Sequence, residues 1–147
     1  MTISRICTIG AALLVAAFPA TAEIVEGRTA NDRPFVSGGI GLGEVDQLKQ
    51  IADKFSLQLI VSSRSGAYLA DMQVTIISAN GQKVFTGQLN APWLLVDLTP
   101  GAYTVSVTHR DGPTQQRKIM ITAGKRVQMA IQMDVAADTA KNPAPGK

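Results

Sequence analysis

The sequence predicts a mainly β protein, an antiparallel β-sandwich of about seven strands with one helix on its N-terminal side. Three observations carry this expectation. From Met72 to Met133, apolar and polar residues alternate in runs of strand length, the two-residue period of a sheet with one buried face. Turn signals such as Asn80-Gly81, Pro100-Gly101, Asp111-Gly112 and Ala123-Gly124-Lys125 punctuate those runs, as in a sandwich. Only Glu44 to Phe55 carries its apolar residues at helical intervals.

The N-terminal segment reads as a cleavable secretory signal over residues 1–22. Arg5 supplies the positive start, Ile6 to Phe18 the apolar run, and Ala20-Thr21-Ala22 a small-x-small site before Glu23. An apolar run of this length falls well short of the ~20 residues that span a bilayer. Cys7 lies inside it, preceded by Ser4-Arg5-Ile6 rather than by small residues, which argues against a lipoprotein. The expected location is the periplasm or the exterior, with no transmembrane segment after cleavage. Removing 22 of the 147 residues leaves 125, enough for one sandwich core without covalent staples. It also removes the only cysteine, and with it any disulfide, thiolate nucleophile or cysteine metal ligand.

Residues 23–33 are polar and aperiodic, a flexible leader to a domain expected over 34–133. In the helix, Val45, Leu48, Ile51, Ala52 and Phe55 form one apolar face. Glu44 and Asp46 fall in its first turn and Lys49 and Lys54 later, the charge order that suits the helix dipole. Strands follow at Leu57 to Ser62, Met72 to Ser78 and Gln82 to Leu89, the last two joined by a hairpin at Asn80-Gly81. Trp93 to Leu98 and Ala102 to His109 flank Pro100-Gly101, where proline presets φ and glycine supplies a positive φ. Gln115 to Ile121 and Arg126 to Met133 read as a final hairpin. The tail, 134–147, is rich in alanine, asparagine and proline and reads as disordered.

The order Leu98, Pro100-Gly101, Tyr103, then the alternating Val105 and Val107, resembles the carboxypeptidase regulatory-like domain. That family is a prealbumin-like (transthyretin-type), Ig-like β-sandwich found on many secreted proteins. The resemblance runs weakly from about Met72 to Ile121 and is specific only over Leu98 to Val107. It implies an architecture and a scaffold role, with no chemistry attached. It does not require Phe35 to Ser62, so the helix and the strand after it read as an elaboration on the sandwich.

The chemistry-bearing residues are sparse. Gly38-Gly39-Ile40-Gly41-Leu42-Gly43 precedes the helix, and glycine amides at a helix start can cradle phosphate. Glu44, however, stands where a dinucleotide fingerprint needs its third glycine, and no Gly-Lys-Ser/Thr follows. A tight turn, close backbone packing, or a glycine hinge or docking loop accounts for the glycines instead. His109 is the only histidine, so a zinc site lacks ligands and a catalytic base lacks a matched partner. Ser62, Ser63 and Ser65 lack the Gly-x-Ser-x-Gly context of an activated serine. No cofactor or metal is expected.

Removing Arg5 from the 14 basic residues leaves 13 against 11 acidic, a net charge of +2. Arg110, Arg117, Lys118, Lys125 and Arg126 cluster in the last two strands and their turns, a secondary basic surface for an anionic partner or a solvated sheet edge. No aromatic residue is interleaved for base stacking, so nucleic acid is not an expected partner. Trp93 and Tyr103 read as core aromatics. Tyr68 sits in the glycine-led connection Ser65-Gly66-Ala67-Tyr68 and reads as an exposed recognition residue. The functional expectation is a non-enzymatic module binding a protein or glycan of the bacterial envelope, with Tyr68, Arg64, Ile40 and Leu42 as contacts. The alternatives are a small envelope-polymer hydrolase using His109, and a carbohydrate-binding module using Trp93.

Overall fold

The computed structural model describes residues 24–110 and 112–135. The expected signal segment with Cys7, Asp111 and the tail from residue 136 onward lie outside the described residues. The chain forms nine strands and one short helix: β1 (Val25–Arg28), β2 (Pro34–Gly38), α1 (Glu44–Ile51) with a 3₁₀ turn (Ala52–Lys54), β3 (Leu57–Ser63), β4 (Met72–Ser78), β5 (Lys83–Leu89), β6 (Trp93–Val96), β7 (Gly101–His109), β8 (Thr114–Ile121) and β9 (Val127–Met133). A five-stranded sheet, ordered β1-β2-β6-β3-β9, packs on a four-stranded one, ordered β5-β4-β7-β8. The core between them draws Leu57, Leu59, Val61, Leu94, Val96 and Ile131 from the first sheet, and Val74, Ile76, Phe85, Val105, Val107 and Ile121 from the second. The protein is a mainly β sandwich.

The two strands beyond the expected seven are β1 and β2. Residues 23–33 are not wholly a loose leader, because Val25–Arg28 pairs antiparallel with Pro34–Gly38, register Val25↔Ser37 to Arg28↔Pro34. An edge strand of four residues with most of its surface in water needs no apolar alternation, so its sequence shows none.

A second, smaller core explains the helix. Val36, Trp93 and Leu95 point from β2 and β6 away from the sandwich interior and meet Leu48, Ala52 and Phe55 of the helical segment. The predicted apolar face is the one that packs, and it covers the outer face of the larger sheet rather than an end or edge. Trp93-Leu94-Leu95-Val96 is therefore buried on both faces, which accounts for its unbroken apolar run. The segment before Met72 is no appendage either. β3 lies inside the sheet, between β6 and β9, so the larger sheet cannot form without it.

Two further expectations are corrected. β9 runs parallel to β3 from Leu57↔Val127 to Ser63↔Met133. Consequently β8 and β9 belong to different sheets and do not form a hairpin. The Pro100-Gly101 corner likewise carries the chain from one sheet to the other, with Gly101 at φ 148°. At Asn80-Gly81 only Gly81 has positive φ, 84°, and Gly81 N donates to Ser78 O at 2.9 Å. The connection is thus a three-residue loop rather than a two-residue one, and a bulge follows in the β4–β5 register.

Tyr103 stands where the alternation places it, facing the core, 6% exposed. Its hydroxyl donates to Thr99 O at 2.7 Å, tying the strand back to the corner that precedes it. A tyrosine whose hydroxyl reaches back to the main chain a few residues upstream is a recurrent corner device of sandwiches.

Candidate functional site

The two sheets part on one side. β1 and β2 of the larger sheet face β5 of the smaller across a cleft of about 890 Å³. Its floor is aromatic: the Phe35 and Phe85 rings meet edge to face, centroids 5.0 Å apart. Both rings lie beside glycines, and a Cβ at Gly27 would come within 2.6 Å of the Phe35 ring. Val25, Ile40, Val84 and Leu89 extend the apolar lining, while Ser37, Thr86, Gln88 and Asn90 give it polar groups. One end is closed by the turn between β1 and β2, where Ala30 N donates to Val84 O at 3.0 Å and Gln82 Nε2 to Asn31 Oδ1 at 3.0 Å. Arg28 and Lys83 line that end, and Glu44 lines the other.

Glu44 also settles the chemistry of the glycine loop. Its buried Oε2 accepts hydrogen bonds from Gly39 N at 2.8 Å and Ile40 N at 3.1 Å. The loop amides that could have cradled a phosphate already hold this carboxylate, which would repel a second anion. Two of the glycines follow from close approach. A Cβ at Gly41 would sit 2.5 Å from Glu44 Oε1, and one at Gly39, whose φ is 105°, would sit 2.8 Å from the Trp93 ring. The loop is a packed junction between helix and sheet.

Of the contact residues expected from sequence, Ile40 lines the cleft, with 56% of its surface exposed. Leu42 is fully exposed on the same loop but does not line it. Tyr68 is exposed on the connection after β3, where its backbone bridges to Ser62, and Arg64 pairs with Asp134 at 3.5 Å. Neither contributes to the cleft. The five basic residues do not form one patch. Arg110 pairs with Asp71 at one end of the sandwich, and Arg126 with Asp53 at the other, next to Lys125. Arg117 and Lys118 are opposite Val105 and Thr104, so they project from opposite faces of β8.

Trp93 is 4% exposed beneath the helix. The His109 imidazole has no hydrogen-bond or ion-pair partner among the described residues. Asp97 is half-buried and pairs with Arg33 at 2.6 Å. That pair borders a smaller hollow of about 290 Å³, whose other charged pair is Arg126–Asp53. Among the described residues no group of three His, Cys, Asp or Glu side chains is placed to hold a metal ion, and no helix is long and apolar enough to cross a membrane.

The cleft residues Phe35, Phe85, Val25, Arg28 and Lys83 carry no individual signal in the sequence. They come from two hairpins about 50 residues apart, and only the stacking of the sheets brings them together. What the fold and the cleft define is a β-sandwich with an apolar recess on one side. Comparison with known proteins finds no family model that matches the chain and no curated protein that matches it.

Proposed function

We propose that this chain is an exported, non-enzymatic β-sandwich module that binds a protein or glycan of the cell envelope, with the cleft between β1–β2 and β5 as its seat. The cleft carries the reading: an apolar recess of about 890 Å³ with a few convergent polar groups is the usual form of a binding site. The resemblance over Leu98 to Val107 to a scaffold domain supports it. A hydrolase would rest on His109, whose imidazole has no partner to orient it or to activate among the described residues. A sugar platform would rest on Trp93, which is 4% exposed and buried in one core with Leu48, Ala52 and Phe55.

Affinity capture from envelope extract tests the proposal. Wild-type protein is compared with Val25→Lys, which places a charge in the cleft at a residue 56% exposed, and with Tyr68→Ala. The expected result is saturable capture of one protein or glycan species by wild type and by Tyr68→Ala, lost in Val25→Lys. Capture lost instead in Tyr68→Ala and Arg64→Ala moves the seat to the loop after β3. No saturable capture overturns the reading.

A further inference from the structure

The occupant of the cleft, we infer, is an extended polypeptide segment that adds to β5 as a fifth strand of the smaller sheet, running antiparallel to it. The inference rests on the proposed role of the cleft and names its ligand class.

The sheet orders leave one strand position open. Phe35 of β2 touches Phe85 of β5 at one side of the sandwich, and β8 lies against β9 at the other. The four strands of the smaller sheet thus cover β2, β6, β3 and β9, and among the described residues β1 has no strand opposite it. Val25 and Gly27 share the inner face of β1, because they are register partners of Ser37 and Phe35. Val25 is left 56% exposed there. A strand beside β5 would lie over this uncovered face and complete a five-on-five sandwich.

The edge of β5 is open to receive it. Among the described residues no strand pairs with its outer side, and the main-chain hydrogen bond made onto that side is Ala30 N to Val84 O, at the closed end. From Phe85 to Leu89 the outer side is unpartnered, a run that at about 3.4 Å per residue matches five or six residues of ligand. An exposed edge of this kind is a template for strand addition, in which main-chain bonds give affinity and pockets for alternate side chains give selectivity. Here the lining runs along Phe85, Gly87 and Leu89, with the Phe85 ring folded over Gly87, where a Cβ would stand 3.2 Å from it. An acyl chain would fill the recess but leave the edge amides and carbonyls unpaired.

Charge sets the direction. β5 runs from Lys83 to Leu89, so an antiparallel ligand begins near Glu44 and Asn90 and ends near Lys83 and Arg28. That order matches a peptide with a basic or free amino start and an acidic or free carboxylate end. Arg28 also lies 3.6 Å from Asp32, a pair exposed on both sides, which a ligand carboxylate can outcompete.

The test uses two pools of peptides of about eight residues, with valine, leucine or isoleucine at alternate positions. One pool starts with lysine and ends with glutamate, and the other has these charges exchanged. Binding to the full protein is read by fluorescence anisotropy. The first pool is expected to bind roughly fivefold or more tighter than the second. The double variant Arg28→Glu with Lys83→Glu should invert that preference, while Lys118→Glu leaves it unchanged. N-methylation of the peptide nitrogens that face β5 should weaken binding by about tenfold or more. Indifference to N-methylation, or a charge preference that the double variant leaves intact, overturns the strand geometry. Binding of an oleate probe with no binding of either pool overturns the peptide but leaves the cleft a binding site. If neither peptide nor oleate binds and envelope capture also fails, both readings fall. Dimerisation of the protein alone that Lys83→Glu abolishes would give β5 to a second copy and overturn the inference.

Discussion

Replacing Glu44 with alanine removes the side-chain group that ties Gly39 and Ile40 of the glycine loop to the start of the helix. Two hydrogen bonds are lost, from Gly39 N at 2.8 Å and Ile40 N at 3.1 Å. Bonds to a charged acceptor contribute about 1.5–3 kcal/mol each when the donor has no alternative. Ile40 is exposed, so its amide regains water, whereas the Gly39 amide is buried against Trp93 and is left unsatisfied. The expected loss is therefore about 2–4 kcal/mol, a fall in Tm of roughly 10–20 °C for a domain of this size. Glu44→Gln keeps an acceptor oxygen but not the charge and should lose about 1 kcal/mol. Asp46→Ala, two residues along the exposed helix face, should stay within about 0.5 kcal/mol of wild type. Urea unfolding followed by circular dichroism and by Trp93 fluorescence gives all three values. Formate should restore part of the stability of Glu44→Ala, because the vacated loop amides form an anion nest. A loss below about 0.5 kcal/mol for Glu44→Ala, or no difference from Asp46→Ala, would refute the claim that the carboxylate organises the loop.

Other outcomes follow from the same structure. Leu48 is fully buried between the helix and the larger sheet, and Leu48→Ala should cost about 2–5 kcal/mol in a denaturant titration. Tyr103→Phe removes the bond from the hydroxyl to Thr99 O and should cost about 1 kcal/mol without changing the circular dichroism spectrum. Emission from Trp93, the only tryptophan, should be blue-shifted and resistant to acrylamide, and Leu48→Ala should expose it to quencher. The sequence reading of residues 1–22 as a cleavable signal predicts, separately, that N-terminal sequencing of exported protein begins at Glu23.

Much of the fold was legible because its cause is local. The helical face Val45-Leu48-Ile51-Ala52-Phe55 and the strand faces of Val74-Ile76 and Tyr103-Val105-Val107 are short-range periodicities, and burial follows them. What could not be read is which sheet each strand joins. The pairing of β3 with β9 joins residues about 70 apart, and nothing in Leu57 to Ser63 or Val127 to Met133 records the partner. β1 escaped notice because a polar edge strand has no buried face to mark it. The cleft escaped for the same reason as the pairing, since Phe35 and Phe85 are ordinary apolar residues until the sheets are stacked. The loop residues Tyr68, Arg64 and Leu42 are exposed, and exposure alone does not make them converge on a recess.

Binding in the cleft is tested most directly by two-dimensional NMR of labelled protein titrated with the species captured from the envelope. The account predicts amide shifts concentrated at Val25–Arg28, Phe35–Ser37 and Phe85–Asn90, with slowed hydrogen exchange along the outer side of β5. Shifts confined to Arg64–Tyr68 or to Arg117 and Lys118, with β5 unperturbed, would contradict it.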